Sequence, residues 1–578
     1  MCGIFLFFDE FKNVNENFIN DIFNDIKRRG PDESNLLKLD RITIGHSRLS
    51  LVDLGEGGKQ PKQDKNKRYF LSFNGEIYNW VELAKKYNLN SCTGDTDLLF
   101  NLLINFPYQE ILSEIDGPYA LIFYDNKKDK LILARDQFGE KPLYYYEDEH
   151  KKIVSSSNKF RFNSENFSSY NTKHYFQNLM IRGFYLPDGI RSVKPGSIEV
   201  YNNFSVSSSC QKLSITPKLF KNLDLYEILM NSLKIRSRLD VDFCVFLSGG
   251  VDSTLTTAML CDLGFKPKCY TIANDKEDFE YIESQKISKK FNLELELINL
   301  KTDLISYFKY YDSQFSPLAD TAGYPLYCGT KHIKKDFKCA FVGDGADEAF
   351  MGYPRYQFSY LLEKFNYKII RKFFEISKLK LFDTQELKKI NSSLELLSMS
   401  LSRDKSERTL LDKFYLEKET SLLEIMRNFD HSERLPDYLM LKSDNNSMCN
   451  GVELRSMFLS RELFLFSKNL SFFDNWKYGL INKMPLRNIL KNKYSIKINN
   501  KKKGFFVDHL KQLQNLMKIV INTSGNYPSI NEFLNELIQS KNIKNDITKI
   551  NCLLVIVFTA LPKKFKDEIY FNLKKFNL

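Results

Sequence analysis

Between residues 241 and 291, apolar runs of strand length alternate with stretches of helical period, and this alternation constrains the fold more than any other feature. Residues 241–247 read as a strand, 254–263 as a helix, 268–272 as a second strand and 281–291 as a second helix. Consecutive strand–helix–strand units of this kind predict a parallel sheet, so this half of the chain is expected to be α/β. At the first junction stands Ser248-Gly249-Gly250-Val251-Asp252-Ser253-Thr254. Glycines there let the backbone approach phosphates closely, while serine hydroxyls and the helix N-terminus add donors and positive dipole. No Gly-Lys-Ser/Thr is present, which excludes the loop of enzymes that move a γ-phosphate. A further apolar strand, 339–342, ends in Gly343-Asp344-Gly345-Ala346-Asp347-Glu348. Parallel sheets gather ligands at such carboxyl ends, which places Asp252 and Asp347 to hold Mg2+ on a phosphate group as hard oxygen donors. From about residue 356 the pattern is almost wholly helical.

The first 200 or so residues read differently. Short alternating runs at 68–73, 119–124 and 130–134 are separated by turn residues, which suits stacked sheets flanked by a few helices. Around 202–211 the chain becomes rich in Asn and Ser and loses its periodicity. Two domains are therefore expected, 2–200 and 223–578, with a linker at 201–222.

Cys2 stands directly behind Met1, and a residue this small allows the methionine to be clipped off. Cys2 would then carry a free α-amine whose pKa of roughly 7.7–8 suits it to act as base toward the thiol. Three clusters accompany it: His46-Ser47-Arg48-Leu49-Ser50-Leu51-Val52-Asp53, Asn74-Gly75-Glu76, and Gly94-Asp95-Thr96-Asp97 before a helix at 98–105. Their chemistry is coherent around a small zwitterionic amide. Arg48 can grip an α-carboxylate with its fork, and Glu76 and Asp95 can hold an α-ammonium. The Asn74 amide and the Gly75 N–H can stabilise the oxyanion formed when Cys2 attacks a carboxamide. His46 reads as a structural histidine, since Cys2 has its own amine.

Composition removes several other function classes. Net charge is +12, but the lysines are dispersed or sit in short runs such as 65–68 and 501–503, without a basic helix. That argues against nucleic acid as a partner. The ten cysteines are scattered, with no CxxC pair and no zinc spacing. No signal peptide is visible, and the longest apolar run, 553–561, is too short to cross a bilayer. A cytoplasmic protein with small-molecule substrates and no membrane partner is expected; a homodimer is compatible with this.

The first half resembles the N-terminal-nucleophile glutaminase domain of class II glutamine amidotransferases, with further matches at Arg28-Arg29-Gly30-Pro31-Asp32 and from Ala134 to Tyr144. The loop at Ser248 resembles that of the ATP pyrophosphatases. Together the halves resemble the glutamine-hydrolysing asparagine synthetase family over nearly the whole chain. Gly343 to Tyr353, Leu435 to Asp444, Ser447-Met448, Glu453-Leu454-Arg455 and Lys501-Lys502-Lys503-Gly504-Phe505 carry that likeness, those at 435–455 matching the family's helical region. The resemblance implies an αββα sandwich glutaminase followed by a parallel-sheet ATP-pyrophosphatase domain with a mostly helical C-terminal part. It implies that Leu49, Ser50, Leu51 and Val52 join Arg48, Asn74, Gly75, Glu76 and Asp95 in binding glutamine. ATP would lie against Leu247, Ser248, Gly249, Gly250, Asp252, Ser253, Ile272, Val342 and Gly343. Asp344 takes the acidic position linked to acyl-adenylate formation, and Lys502 the catalytic lysine position. The reaction so implied is amidation of aspartate. Departures at Asn445, Met457, Ser460 and Asn500 leave open another acceptor, such as a uronic acid of a surface polysaccharide.

Overall fold

The computed structural model describes residues 2–11, 16–159, 186, 189–204, 211–212, 224–300, 303–320, 322–376, 387–401, 411, 421–478, 480–498, 510–541, 546–560 and 563–575. Among the described residues twelve strands precede residue 213: β1 (Gly3–Asp9), β2 (Glu33–Lys38), β3 (Ile42–Arg48), β4 (Lys62–Gln63), β5 (Tyr69–Gly75), β6 (Tyr119–Asp125), β7 (Lys130–Arg135), β8 (Tyr144–Glu147), β9 (Lys151–Ser155), β10 (Ile190–Ser192), β11 (Ser197–Asn202) and β12 (Gln211–Lys212). They form two six-stranded sheets, ordered β10-β8-β9-β1-β3-β2 and β12-β11-β7-β6-β5-β4. The short strand β12 falls inside the 201–222 segment and pairs with β11 at Ser197 and Ile198.

β1 shows why the sheets stack. Its alternate residues Ile4, Leu6 and Phe8 meet Phe70, Ile122 and Leu133 between the sheets. Phe5 and Phe7 point the other way, onto Ile19, Ile22, Phe23 and Ile26 of the helix Glu16–Lys27. Both faces are buried, so the strand reads as a continuous apolar run instead of an alternation. On the far side, Leu71, Phe73, Leu121 and Phe123 pack against the helix Asp95–Asn105 and its neighbours. The result is an αββα sandwich with Cys2 at the head of a central strand.

The second half contributes β13 (Phe243–Phe246), β14 (Cys269–Ala273), β15 (Leu295–Asn299), β16 (Cys339–Phe341) and β17 (Glu453–Arg455) to a parallel sheet ordered β15-β14-β13-β16-β17. The chain winds outward from β13 through β14 to β15, then returns to lay β16 on the opposite side of β13. That reversal opens a crevice at the carboxyl ends of β13 and β16, where such sheets bind ligands. β17 is the short exception that the almost wholly helical reading beyond residue 356 leaves room for, and it amends the family's helical region as the place for Glu453-Leu454-Arg455. Three residues are too few to show a period, yet they pair in register with β16, Phe341 opposite Arg455. Helices otherwise dominate. The segment from Leu422 to Met448 is continuous helix whose central part, Asp430–Met440, has wide π turns around Pro436. Among the described residues no helix is long and apolar enough to cross a membrane; residues 553–558 of the apolar run are buried in the helix Ile547–Ala560.

Candidate functional sites

Cys2 is buried, and its backbone N–H donates to Asn74 Oδ1 at 2.9 Å. This orients the Asn74 amide. Its Nδ2 is fully buried and has no hydrogen-bond partner among the described residues, which leaves one strong donor beside the nucleophile. A cavity of about 30 Å3 brings Cys2 together with Arg48, Leu49, Leu51, Val52, Gly75, Glu76 and Asp95. Ser50 and Asn74 do not line it: Asn74 stands behind, bonded to the Cys2 backbone, and the Ser50 backbone N–H is tied to Asp32 Oδ2 at 2.8 Å.

The Arg48 guanidinium is fixed by the carbonyl of Gly55 at 3.1 Å and by that of Asp53. A Cβ at Gly58 would lie 1.8 Å from Arg48 Nη2, so only glycine admits the arginine here. Asp95 opens its helix and accepts from the backbone of Ile77 at 3.0 Å and Thr96 at 2.6 Å, while burial raises its pKa. Burial also pushes Glu76 up, to about 8, against the pull of Arg455. His46 is buried against the Phe73 carbonyl, and desolvation lowers it to about 3, so it stays neutral. Gln60, absent from the sequence reading, lines the same cavity and pairs with the Phe73 backbone through both ends of its amide, at 3.1 and 2.7 Å.

The second cavity, about 270 Å3, occupies the crevice of the parallel sheet. Leu247, Ser248, Asp252, Ser253, Ile272, Val342, Gly343, Asp344 and Asp347 all line it. Gly249 and Gly250 shape the loop beneath. Gly249 has φ +68°, and a Cβ there would come within 2.5 Å of Glu283 Cβ; Gly250 caps the helix Val251–Asp262. Ser253 Oγ accepts from the Ser248 N–H at 3.2 Å, closing the turn.

Three features of this cavity escaped the sequence. Lys483 does not itself line the cavity but is buried between the two acidic residues that do, 2.7 Å from Asp252 Oδ2 and 2.6 Å from Asp347 Oδ1. Those carboxylates hold its ammonium charged, raising its pKa despite burial. Glu348 lines the cavity and accepts the Tyr353 hydroxyl at 2.6 Å, and burial raises it to about 7. Asp344 Oδ2 accepts from Ser443 Oγ at 2.5 Å. Lys502 and Asn500 lie outside the described residues.

Asp252 and Asp347 converge on one cation, and Asp252 Oδ1 is buried with no hydrogen-bond partner among the described residues. This oxygen donor set fits Mg2+. Among the described residues no group of three or more His, Cys, Asp or Glu could hold a metal. An ion here would therefore draw further oxygens from nucleotide phosphates and water.

The departures at Asn445, Met457 and Ser460 do not face the cavity. Asn445 Nδ2 is bonded to the Ser316 carbonyl at 2.9 Å, Met457 packs in the core, and Ser460 caps the helix Arg461–Lys468 by accepting from Leu463 N. A third cavity, about 20 Å3, is bounded by Glu140, Lys141, Asp344, Met440, Ser443 and Ser456 among others. It shares Val342, Asp344, Met440, Ser443 and Leu454 with the large one.

Comparison with known proteins gives two family matches. Residues 1–210 match the glutamine amidotransferase domain family, and residues 224–541 match the asparagine synthase family. A Bacillus subtilis relative, asparagine synthetase [glutamine-hydrolyzing] 1, is 27% identical over 57% of this chain and 55% of its own, so the chain spans about half its length. Asparagine synthetase [glutamine-hydrolyzing] 3 of the same organism is 25% identical over 84% of both chains. A solved glutamine phosphoribosylpyrophosphate amidotransferase from B. subtilis is 14% identical over 51% of this chain and 66% of that one, with a TM-score of 0.27, too slight to bear on function. The second family match covers more than half of the 578 residues, and on that ground the chain belongs to the asparagine synthase family.

Proposed function

We propose that this protein is a glutamine-dependent ligase that amidates a carboxylate through an acyl-adenylate, with aspartate as acceptor and asparagine, AMP, pyrophosphate and glutamate as products. The observation carrying this reading is the presence of two dissimilar cavities bridged by one strand. Glu453 of β17 lines the small cavity with Cys2, and the adjacent Leu454 lines the large one.

In the first cavity Cys2, deprotonated by its own α-amine, attacks the glutamine carboxamide and forms a thioester while ammonia leaves. Asn74 Nδ2 and the Gly75 N–H take the oxyanion, Arg48 the α-carboxylate, and Glu76 and Asp95 the α-ammonium. Leu49, Leu51 and Val52 enclose the substrate. Ammonia released into water would be protonated, so it passes internally, beside Glu453 and Leu454.

In the second cavity the loop from Ser248 to Ser253 cradles the ATP phosphates, and Leu247, Ile272, Val342 and Gly343 flank the nucleotide. Asp252 and Asp347 would hold Mg2+, which supplies charge neutralisation on the pyrophosphate. Lys483, already between those carboxylates, adds a fixed cation to the same end of ATP. Asp344 and Lys502 serve the acyl-adenylate.

Aspartate is preferred to a uronic acid because Asn445, Met457 and Ser460 stand outside the cavity wall. The test is pyrophosphate release from Mg-ATP and glutamine across a panel of carboxylates. Release with aspartate supports the proposal; release with uronates alone overturns the acceptor and keeps the chemistry.

A further inference from the structure

Arg455 is the last residue of β17 and is fully buried. Its guanidinium pairs with Glu76 in the Cys2 cavity and with Glu453 Oε1 at 2.9 Å. It also donates to the Arg236 carbonyl and lies 5.1 Å over the ring of Tyr78. Its backbone faces the other site. The Arg455 carbonyl accepts from the Val342 N–H at 2.9 Å, and Ser456 Oγ donates to the Asp344 carbonyl at 2.6 Å. Both Val342 and Asp344 line the nucleotide cavity. Two consecutive residues thus touch the acidic wall of one cavity and the strand-end loop of the other.

The charge balance gives this contact a purpose. Glu76, Glu453 and Asp95 all line the Cys2 cavity, and three desolvated carboxylates together repel one another unless a cation divides them. Arg455 is that cation for Glu76 and Glu453. An arriving α-ammonium is a second one. It competes for the Glu76 carboxylate, and the guanidinium then leans toward Glu453 on its own strand. Any displacement of β17 is passed on through two backbone-directed hydrogen bonds to Val342 and Asp344.

We propose that Arg455 is a positioning residue that presents Glu76 to the α-ammonium of glutamine and, through β17, couples occupancy of the glutamine cavity to the Val342–Asp344 loop of the adenylating cavity. The inference rests on the reading of the two cavities given above. By linkage, whatever glutamine does to the adenylating site, ATP and acceptor do in return to the glutamine site.

The test uses the full-length enzyme and two variants. In Arg455→Lys, the fork that serves Glu76 and Glu453 together becomes a single point charge. The KM for glutamine in glutaminase turnover is expected to rise about tenfold to a hundredfold, the range for losing a charged hydrogen bond. Pyrophosphate release driven by ammonium chloride is expected to stay within about twofold, because that route bypasses Glu76. Ser456→Ala keeps both ion pairs and removes only the link to Asp344. It is expected to leave the glutamine KM of uncoupled hydrolysis unchanged and to lower the stimulation of hydrolysis by ATP and acceptor. An Arg455→Lys enzyme whose two activities fall by the same factor overturns the proposal, since a purely structural role predicts that. So does a Ser456→Ala enzyme with undiminished stimulation. If no carboxylate supports pyrophosphate release in the unaltered enzyme, the functional reading fails instead, and the glutamine KM of Arg455→Lys still reports on Glu76.

Discussion

Arg29 and Asp444 are joined by two parallel hydrogen bonds of 2.7 Å, although 415 residues separate them in the chain. Both side chains are essentially inaccessible, and the third edge of the same guanidinium holds the Cys2 carbonyl at 3.1 Å. The nucleophile's backbone is thus held by an ion pair whose acidic member belongs to the other half of the molecule.

Breaking that pair from one side is expected to be costly. Asp444→Ala leaves a buried guanidinium without its counter-charge and should destabilise the protein by about 3–5 kcal/mol. Urea unfolding followed by tryptophan fluorescence measures this. Glutamine hydrolysis should fall in the same variant, since Arg29 no longer has a fixed anchor.

Cys2→Ala should abolish glutamine-dependent amidation and spare the ammonia-dependent reaction, because the adenylating cavity does not include Cys2. Asn74→Ala should lower glutaminase kcat by about 10²–10³, the usual effect of losing one oxyanion donor. Paired glutamate and pyrophosphate assays separate these outcomes; a normal kcat in Asn74→Ala would contradict the role of Nδ2.

Lys483→Met removes the cation shared by Asp252 and Asp347. The two carboxylates then face each other without the ammonium between them, and pyrophosphate release should drop by about 10²-fold or more as phosphate stabilisation is lost. Glutamine hydrolysis measured without ATP should persist, which distinguishes this result from global unfolding.

Glu348 supplies a pH signature. Its carboxyl, ordinarily near 4.5, is raised to about 7 by burial, so the folded protein binds a proton there that the unfolded chain has released. Stability from this group is full below about 4.5 and is lost as pH rises through about 7. Glu348→Gln should flatten the fall in melting temperature between those pH values. An identical slope in variant and parent would show that Glu348 does not titrate there.

The parts of the two sites carried by contiguous motifs were legible in the sequence. Arg48 to Val52, Asn74 to Glu76, Ser248 to Ser253 and Gly343 to Asp347 each combine a turn with its chemistry within a few residues, and turn geometry is a local matter. Ser50, within the first of these stretches, does not line the cavity; its backbone N–H is turned to Asp32, a partner 18 residues away that no local pattern marks. Gln60 and Lys483 were missed because nothing local marks them: Lys483 meets Asp252 across 231 residues. The strand at Glu453–Arg455 was hidden for a related reason, since only its pairing with Cys339–Phe341 makes it a strand.

Local sequence therefore determined which backbone segments turn, which bury both faces and which residues can do chemistry, because those properties depend on neighbours in the chain. Tertiary structure alone decided which charges face one another. Lys483 lies between Asp252 and Asp347, and Arg455 divides Glu76 from Glu453, because desolvated carboxylates demand a counter-charge wherever the fold can supply one.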